Sequence, residues 1–212
     1  MTRRLSRLRR DGGAALLTAL FVVVALTIIA MSAAQMALGA EKSARNERDR
    51  HLAFAAAEAG LLDAERDIEG GADPASSRAA MFASGSALGF VEGCGEGAAN
   101  PKLGLCAYRS ASSSPAAPAW QAAGLADAGA AAATPYGTFT GAVLPTGAGG
   151  LPARAPRYVI ELMPLVAAGE DAGQRAGNLY RITAIGFGAR DNTHVVLQEV
   201  YRKVAPNRAS LQ

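Results

Sequence analysis

The stretch GGAALLTALFVVVALTIIAMSAAQMALGA, residues 12–40, contains no charged residue. Five arginines and one aspartate precede it, and a charged segment begins at Glu41. The run is longer than the roughly 7–15 apolar residues of a signal peptide, and it reaches the length of about 20 residues that spans a bilayer. Arginines on the N-terminal side favour a cytoplasmic N-terminus. The pattern predicts a single membrane-spanning helix, with the residues after it outside the cytoplasm.

The junction RRDGGAALLTAL, residues 9–20, admits three interpretations from the residues alone. It can be the start of a secretory signal peptide, since ALGA at residues 37–40 is a passable cleavage site for one. It can be a plain membrane anchor. It can also be a basic leader that is cut at the Gly-Gly joint, with the apolar run retained.

Beyond residue 40 the sequence is charged but keeps helical periodicity. Apolar residues recur at spacings of three and four, which predicts one apolar stripe on a continuing helix: Phe54, Ala57, Leu61, Ala64 and Ile68. The stripe predicts that Asp63, Arg66 and Asp67 lie on the opposite side. Gly70, Gly71 and Pro74 then end the helix. We therefore expect one helix from Ala14 to about Glu69.

Strand patterns are concentrated near the C-terminus. RYVIELMPLV (157–166), NLYRITAIGFGA (178–189) and THVVLQEVYRKV (193–204) alternate apolar and other residues, and ARDN (189–192) is a turn signal. An antiparallel sheet with one apolar face needs a cover, which the amphipathic half of the helix can supply. The sequence predicts an α+β fold, a long N-terminal helix packed on a small antiparallel sheet.

These patterns divide the chain into six predicted segments. They are a basic leader (1–13), a membrane-embedded helix (14–40), its amphipathic continuation (41–70), a loop-rich region with the cysteine pair (71–155), antiparallel strands (156–204) and a tail (205–212).

The charge balance does not indicate a nucleic-acid-binding protein. The formal net charge is +3, but residues 1–13 hold five arginines and Asp11, which sum to +4 and leave the remainder near −1. No basic patch is interleaved with aromatic residues. The two cysteines, Cys94 and Cys106, both follow the apolar run, and an even number of cysteines in an oxidising compartment favours a disulfide.

Sequence patterns for catalysis are missing. The two histidines, His51 and His194, have no metal-ligand spacing to another histidine or to a cysteine. The cysteines are too far apart for a CxxC motif, and neither a phosphate-binding loop nor a GxSxG elbow occurs. The sequence therefore predicts a protein that is not an enzyme and that has no catalytic residue, metal or cofactor.

Five segments follow one another in a distinctive order. RDRHLAFAAAEAGLLDAE (48–65) is the most specific of them, and it follows the apolar helix. The others are GLC (104–106), PRYVIEL (156–162), YRITAIGFGA (180–189) and VVLQEVYRK (195–203). This ordered set resembles the PilX-type minor pilins of the type IV pilus. The resemblance covers both ends and the cysteine pair, and it is weak across residues 107–150.

The resemblance implies a route for the apolar segment. A prepilin peptidase would cut after Gly13, leaving Ala14 as an N-methylated first residue, with Gly12 as the alternative site. The retained segment would anchor the subunit in the inner membrane, with a periplasmic C-terminal domain, and would later pack in the filament at the cell surface. The implied partners are other minor pilins, the major pilin, the prepilin peptidase and a tip adhesin. Cell adhesion and twitching motility would be the processes served.

One position departs from the pilin pattern. Most major pilins carry a glutamate at the fifth mature position, where this chain has Thr18. A subunit without that carboxylate cannot neutralise the terminal amine of a neighbour, which favours a minor pilin that primes or caps assembly near the tip. The alternative is that minor pilins simply tolerate threonine there. The rival functions are a type II secretion pseudopilin, which shares the N-terminal pattern, and a membrane-anchored periplasmic binding module.

Overall fold

The computed structural model describes residues 12–71, 78–82, 87–108, 119–127, 129–163 and 179–203. Their elements are helix α1 (Gly12–Glu69), a 3-10 turn (Ala79–Phe82), strand β1 (Leu105–Ala107), helix α2 (Ala119–Ala122), and strands β2 (Thr134–Pro135), β3 (Arg157–Met163), β4 (Leu179–Phe187) and β5 (His194–Arg202). The chain divides into two compact units, Met1–Glu47 and Arg48–Gln212. The first contains the apolar part of α1, and the second contains the rest of α1 and the sheet.

Helix α1 begins at Gly12, two residues before the predicted start, and ends at Glu69 as predicted. Two glycines in the left-handed region, Gly70 (φ 121°) and Gly71 (φ 62°), terminate it. The amide of Gly71 donates to the carbonyl of Arg66 (2.7 Å), and the amide of Gly70 donates to that of Asp67 (3.3 Å). These bonds satisfy the last carbonyls of the helix in the Schellman arrangement, which favours glycine because the left-handed conformation is strained for other residues.

Strands β3, β4 and β5 form the antiparallel part of the sheet. The order is β1-β3-β4-β5, with β2 pairing with β3. The β4–β5 hairpin turns at residues 188–193 as predicted, where the amide of Gly188 donates to the carbonyl of Thr193 at 2.8 Å. The α+β class is therefore confirmed.

The sheet is mixed rather than purely antiparallel, which corrects the prediction. Strand β1 runs parallel to β3, with Leu105 beside Ile160, and β2 adds a short antiparallel pairing to the start of β3. Both extra strands come from the region that the sequence presented as loops. They are two or three residues long, too short to show an alternating pattern.

One face of the sheet packs against the second half of α1. Its core is formed by Ala64, Ile68, Phe82, Phe90, Leu105, Tyr158, Ile160, Tyr180, Ile182 and Ala184. At one end the contact is very close, since a Cβ added to Gly186 would lie 2.1 Å from the backbone nitrogen of Ala57 and 2.2 Å from the carbonyl oxygen of Ala53. Small residues on both surfaces bring the helix and sheet backbones together here.

The buried stripe of α1 differs from the predicted one. Ala57, Ala64 and Ile68 are buried as predicted, and Leu61 is partly buried. Phe54 is 42% exposed, so its predicted place in the stripe is wrong. The helix packs through alanines, and the close approach at Gly186 leaves no room for a phenylalanine beneath it.

The other face of the sheet carries a second core. The loop-rich region covers it with Cys94, Cys106, Ala119, Ala123, Leu125, Ala132 and Ala133, which contact Val159, Ile185 and Phe187. Trp120 packs at the margin of this cluster. Strand β4 is therefore buried on both faces, with Ile182 towards the helix and Ile185 towards the loops.

Candidate functional site

The first part of α1 presents an apolar surface. Its large side chains are exposed in the isolated chain, and Phe21 is 76% exposed. By length and composition this helix can cross a membrane. An exposed apolar surface of this extent is unfavourable in water, and it needs either lipid or other apolar helices around it.

The predicted leader junction lies at the start of α1. Gly13 and Ala14 are in helical conformation and exposed, and a Cβ on Gly13 would meet no atom within 4 Å. The leader residues 1–11 lie outside the described residues. Thr18, one turn further on, donates its hydroxyl to the carbonyl of Ala15 at 3.0 Å. The hydroxyl is thus satisfied by the helix itself, and position 18 presents no charge.

Three aspartates anchor the second half of α1, and the sequence interpretation missed all of them. Asp63 and Asp67 were predicted on the side opposite the apolar stripe, but both are fully buried, and Asp49 is buried as well. Arg66 is exposed as predicted. The prediction for the two aspartates is wrong because each carboxylate has hydrogen-bond donors from distant parts of the chain. Buried charges are tolerated only with such partners.

Asp67 is held by a buried arginine and a buried tyrosine. Nε of Arg78 lies 3.0 Å from both carboxylate oxygens, and its Nη2 lies 2.5 Å from Oδ2. The hydroxyl of Tyr158 donates to the same carboxylate at 2.8 Å. Burial raises the pKa of Tyr158 well above its ordinary value, and the charge of Asp67 adds to this shift.

Arg78 continues this network to the loop between the cysteines. Its Nη1 donates to the carbonyls of Pro101 (3.0 Å) and Leu103 (2.5 Å). The guanidinium also stacks on Phe139, with Cζ 3.7 Å from the ring centroid. One buried cation therefore joins α1, the cysteine loop and the 135–142 segment.

Asp63 fixes the segment that follows β2. Its carboxylate accepts hydrogen bonds from the Thr140 hydroxyl and from the amide of Gly137 (2.7 Å). Burial raises the pKa of the Asp63 carboxyl above its ordinary value, and the nearby charge of Asp67 raises it further, although the two hydrogen bonds act the other way.

Asp49 fixes the β4–β5 turn. Its Oδ1 accepts from the amide of Ala189 at 2.6 Å, and its Oδ2 accepts from Nε of Arg190 at 2.9 Å. Burial alone would raise the pKa of this carboxyl, but hydrogen bonds from Thr193, Arg190 and Ala189 together lower it.

A sequence signal for the three aspartates did exist. Their spacings of fourteen and four residues place them on one helical face.

Cys94 and Cys106 form the predicted disulfide. Both are buried against the sheet face opposite α1. Cys94 has φ 67°, the only positive value at a non-glycine position among the described residues. The loop between them is also closed by a backbone hydrogen bond, in which the amide of Gly104 donates to the carbonyl of Gly95 at 3.1 Å. The disulfide closes the loop whose Pro101 and Leu103 carbonyls accept hydrogen bonds from Arg78.

A long apolar helix that continues into a segment packed on a small mixed sheet defines a pilin-like subunit. Two family models match the chain, PilX N-terminal over residues 12–62 and Type IV pilus assembly protein PilX C-term over residues 92–203. The chain therefore belongs to the PilX family and is a PilX-type minor pilin of the type IV pilus.

The family is one of structural assembly proteins, not of enzymes, and it implies association with other pilus components. The match favours the type IV pilus over type II secretion and over a membrane-anchored binding module. Neither a curated protein nor a solved structure gives a significant match to the chain.

Proposed function

We propose that this minor pilin primes or caps assembly of the pilus and occupies a position near the filament tip. The observation that carries the proposal is Thr18, which stands where most major pilins have a carboxylate. Its hydroxyl is satisfied within the helix, by the carbonyl of Ala15, so position 18 offers only a neutral surface.

The physical argument concerns charge in an apolar environment. In a bundle of apolar helices, the terminal amine of a subunit is costly to bury unless a carboxylate pairs with it. No residue from Gly12 to Ala40 carries a charge that could do this. A subunit of this kind suits a place where no neighbour requires neutralisation, which is the end of the filament.

The proposed route begins with cleavage between Gly13 and Ala14 by the prepilin peptidase, followed by methylation of Ala14. The subunit then resides in the inner membrane with the globular unit in the periplasm, and its apolar helix joins those of the other minor pilins and the major pilin. A tip adhesin would be the outermost partner, which connects the subunit to adhesion and to twitching motility.

A charge substitution at position 18 tests the proposed placement. Labelled subunits carrying Thr18→Glu should appear along the shaft, because the introduced carboxylate can pair with a neighbour's amine. The matched variant Thr18→Gln has similar size but no charge, and its label should remain at the filament ends, as in the unmodified protein. Abundant label along the shaft for the unmodified protein would contradict the placement.

Two further measurements test the route. Deletion of the gene should reduce piliation while the major pilin is still made. Mass spectrometry of the mature protein should find methylated Ala14 as the first residue, whereas a first residue of Gly13 would indicate the alternative cut after Gly12. An N-terminus following Ala40 would mean that the apolar segment is a secretory signal, and it would remove the proposed role of the helix.

A further inference from the structure

Strand β5 forms one edge of the sheet. It pairs with β4 along its full length, from His194 to Arg202, and it is the last strand in the sheet order. No strand among the described residues pairs with its other side. An edge strand leaves a row of backbone amides and carbonyls available for pairing, and proteins usually protect such edges with proline, bulges or charge. Strand β5 contains no proline or glycine.

The face of β5 that points away from α1 is uncovered. Five alternate residues are exposed on it: His194, Val196, Gln198, Val200 and Arg202. Val200 is 58% exposed, whereas the side chain of its pairing partner in β4, Arg181, is 26% exposed. The second core covers Ile185 and Phe187 of β4, and among the described residues it leaves Val196 36% and Val200 58% exposed on β5. Apolar side chains here can be buried by an additional strand.

The helix side of β5 carries an excess of carboxyl groups. Glu199 lies beside Glu65 of α1, and its Oε1 is buried and has no hydrogen-bond partner among the described residues. The hydroxyl of Tyr201 donates to Glu69 at 2.7 Å. Burial raises the pKa of Glu199, and the charge of Glu65 raises it further. A buried oxygen beside a second carboxyl is best satisfied by a cation.

We propose that β5 accepts an extended segment of another pilus subunit as an added strand, with apolar residues over Val196 and Val200 and a lysine or arginine beside Glu199. Backbone pairing would supply affinity, and the alternate side chains would supply selectivity. The cation would complete the hydrogen bonding of Oε1 and relieve the repulsion between the two carboxyls. Strand β5 belongs to the unit Arg48–Gln212, and the proposal does not depend on where the subunit lies in the filament.

Two peptides of the length of β5 provide the probe. Both alternate valine with threonine, and they differ only in a central arginine or glutamate that faces the Glu199 side. The full chain is held in detergent micelles, and the readouts are peptide affinity and hydrogen exchange at the β5 amides that point away from β4. We expect the arginine peptide to bind about tenfold more tightly than the glutamate peptide and to slow exchange at those amides.

Three variants locate the effect. Glu199→Gln should reduce the difference in affinity between the two peptides, because one of the two carboxyl groups that favour the arginine is gone. Val200→Lys should weaken both peptides. Val143→Lys is the matched control, since Val143 is 88% exposed and lies outside the sheet, and it should change neither.

Three results would overturn the proposal. The first is equal binding of the two peptides by the unmodified chain. The second is binding without slower exchange in β5. The third is slow hydrogen exchange at the outward amides of β5 before any peptide is added, which would mean that β5 is already paired. If this protection does not depend on protein concentration, the pairing is with the chain's own residues. If it does depend on concentration, the pairing is with a second copy of the chain.

Discussion

Substitution of the buried pair between Asp67 and Arg78 should strongly destabilise the second unit. Asp67→Asn would leave the guanidinium buried without a counter-charge, beside the neutral amide at position 67, the carbonyls of Pro101 and Leu103 and the rings of Phe82 and Phe139. Arg78→Met would leave the carboxylate with the Tyr158 hydroxyl as its remaining donor. Breaking a buried ion pair by removing one partner costs about 3–5 kcal/mol. Since domains are stable by about 5–15 kcal/mol, either change removes a large fraction of the free energy of unfolding.

The double variant distinguishes this reasoning from a simple count of lost contacts. With both charges removed, the amide oxygen introduced at position 67 can still accept a hydrogen bond from the Tyr158 hydroxyl. The methionine side chain at position 78 fills the space beside Phe82 and Phe139, the two rings that the Arg78 guanidinium contacts in the unmodified protein. The double variant should therefore lose less stability than the sum of the two single variants, by about 2 kcal/mol. Tyr158→Phe, which removes one hydrogen bond and no ion pair, should cost about 1–2 kcal/mol.

The assay is denaturant unfolding of the full chain in detergent micelles, followed by the fluorescence of Trp120. This residue is the only tryptophan, and it packs at the edge of the second core, so its emission reports on the second unit. If the two single variants add without coupling, or if each costs no more than Tyr158→Phe, the pair does not behave as a buried charge pair and the reasoning is refuted.

Three other substitutions have defined outcomes in the same assay. Replacing Cys94 and Cys106 by serine should lower the free energy of unfolding by about 3 kcal/mol, the loop-closure entropy for a bridge of this span. Gly186→Ala should cost at least about 1–3 kcal/mol, because the added methyl group meets the helix backbone at Ala57. Asp49→Asn should cost about 1 kcal/mol at neutral pH. Because the pKa of Asp49 is lowered in the folded state, this cost should be present above the ordinary pKa of aspartate and should vanish as pH falls through the folded value.

Each of these predictions has its own contrary result. If the oxidised and the reduced forms of the unmodified protein unfold at the same denaturant concentration, non-covalent contacts alone hold the cysteine loop. Gly129→Ala is the control for Gly186, since a Cβ there meets no atom within 4 Å, and equal effects of the two would remove the steric argument. A cost of Asp49→Asn that does not change between neutral and acidic pH would show that the charge of the carboxylate is not what stabilises the turn.

The long elements and the disulfide were predictable from local sequence patterns, whereas the hydrogen-bond donors of the buried aspartates were not. The end of α1 at Gly70 and the β4–β5 turn follow from local signals, which depend on few residues. The short strand β1 has no local signal, because its position depends on the cysteine loop and on β3. Asp63 and Asp67 were misassigned because a charged residue on a helix usually faces solvent. Their donors come from segments that no local pattern connects to the helix.

The distances along the sequence between these anchors have a consequence for the order of folding. Asp63 accepts hydrogen bonds from residues 74 and 77 positions later, Asp67 from one 91 positions later and Asp49 from one 140 positions later. At a synthesis rate of about 5–20 residues per second, the helix precedes its last partner by on the order of ten seconds. During that interval the carboxylates keep this half of α1 hydrated, and contacts of such high contact order form slowly. The helix docks fully only after the final hairpin has been made, so an incomplete chain retains ionised carboxylates on the surface that a finished subunit buries.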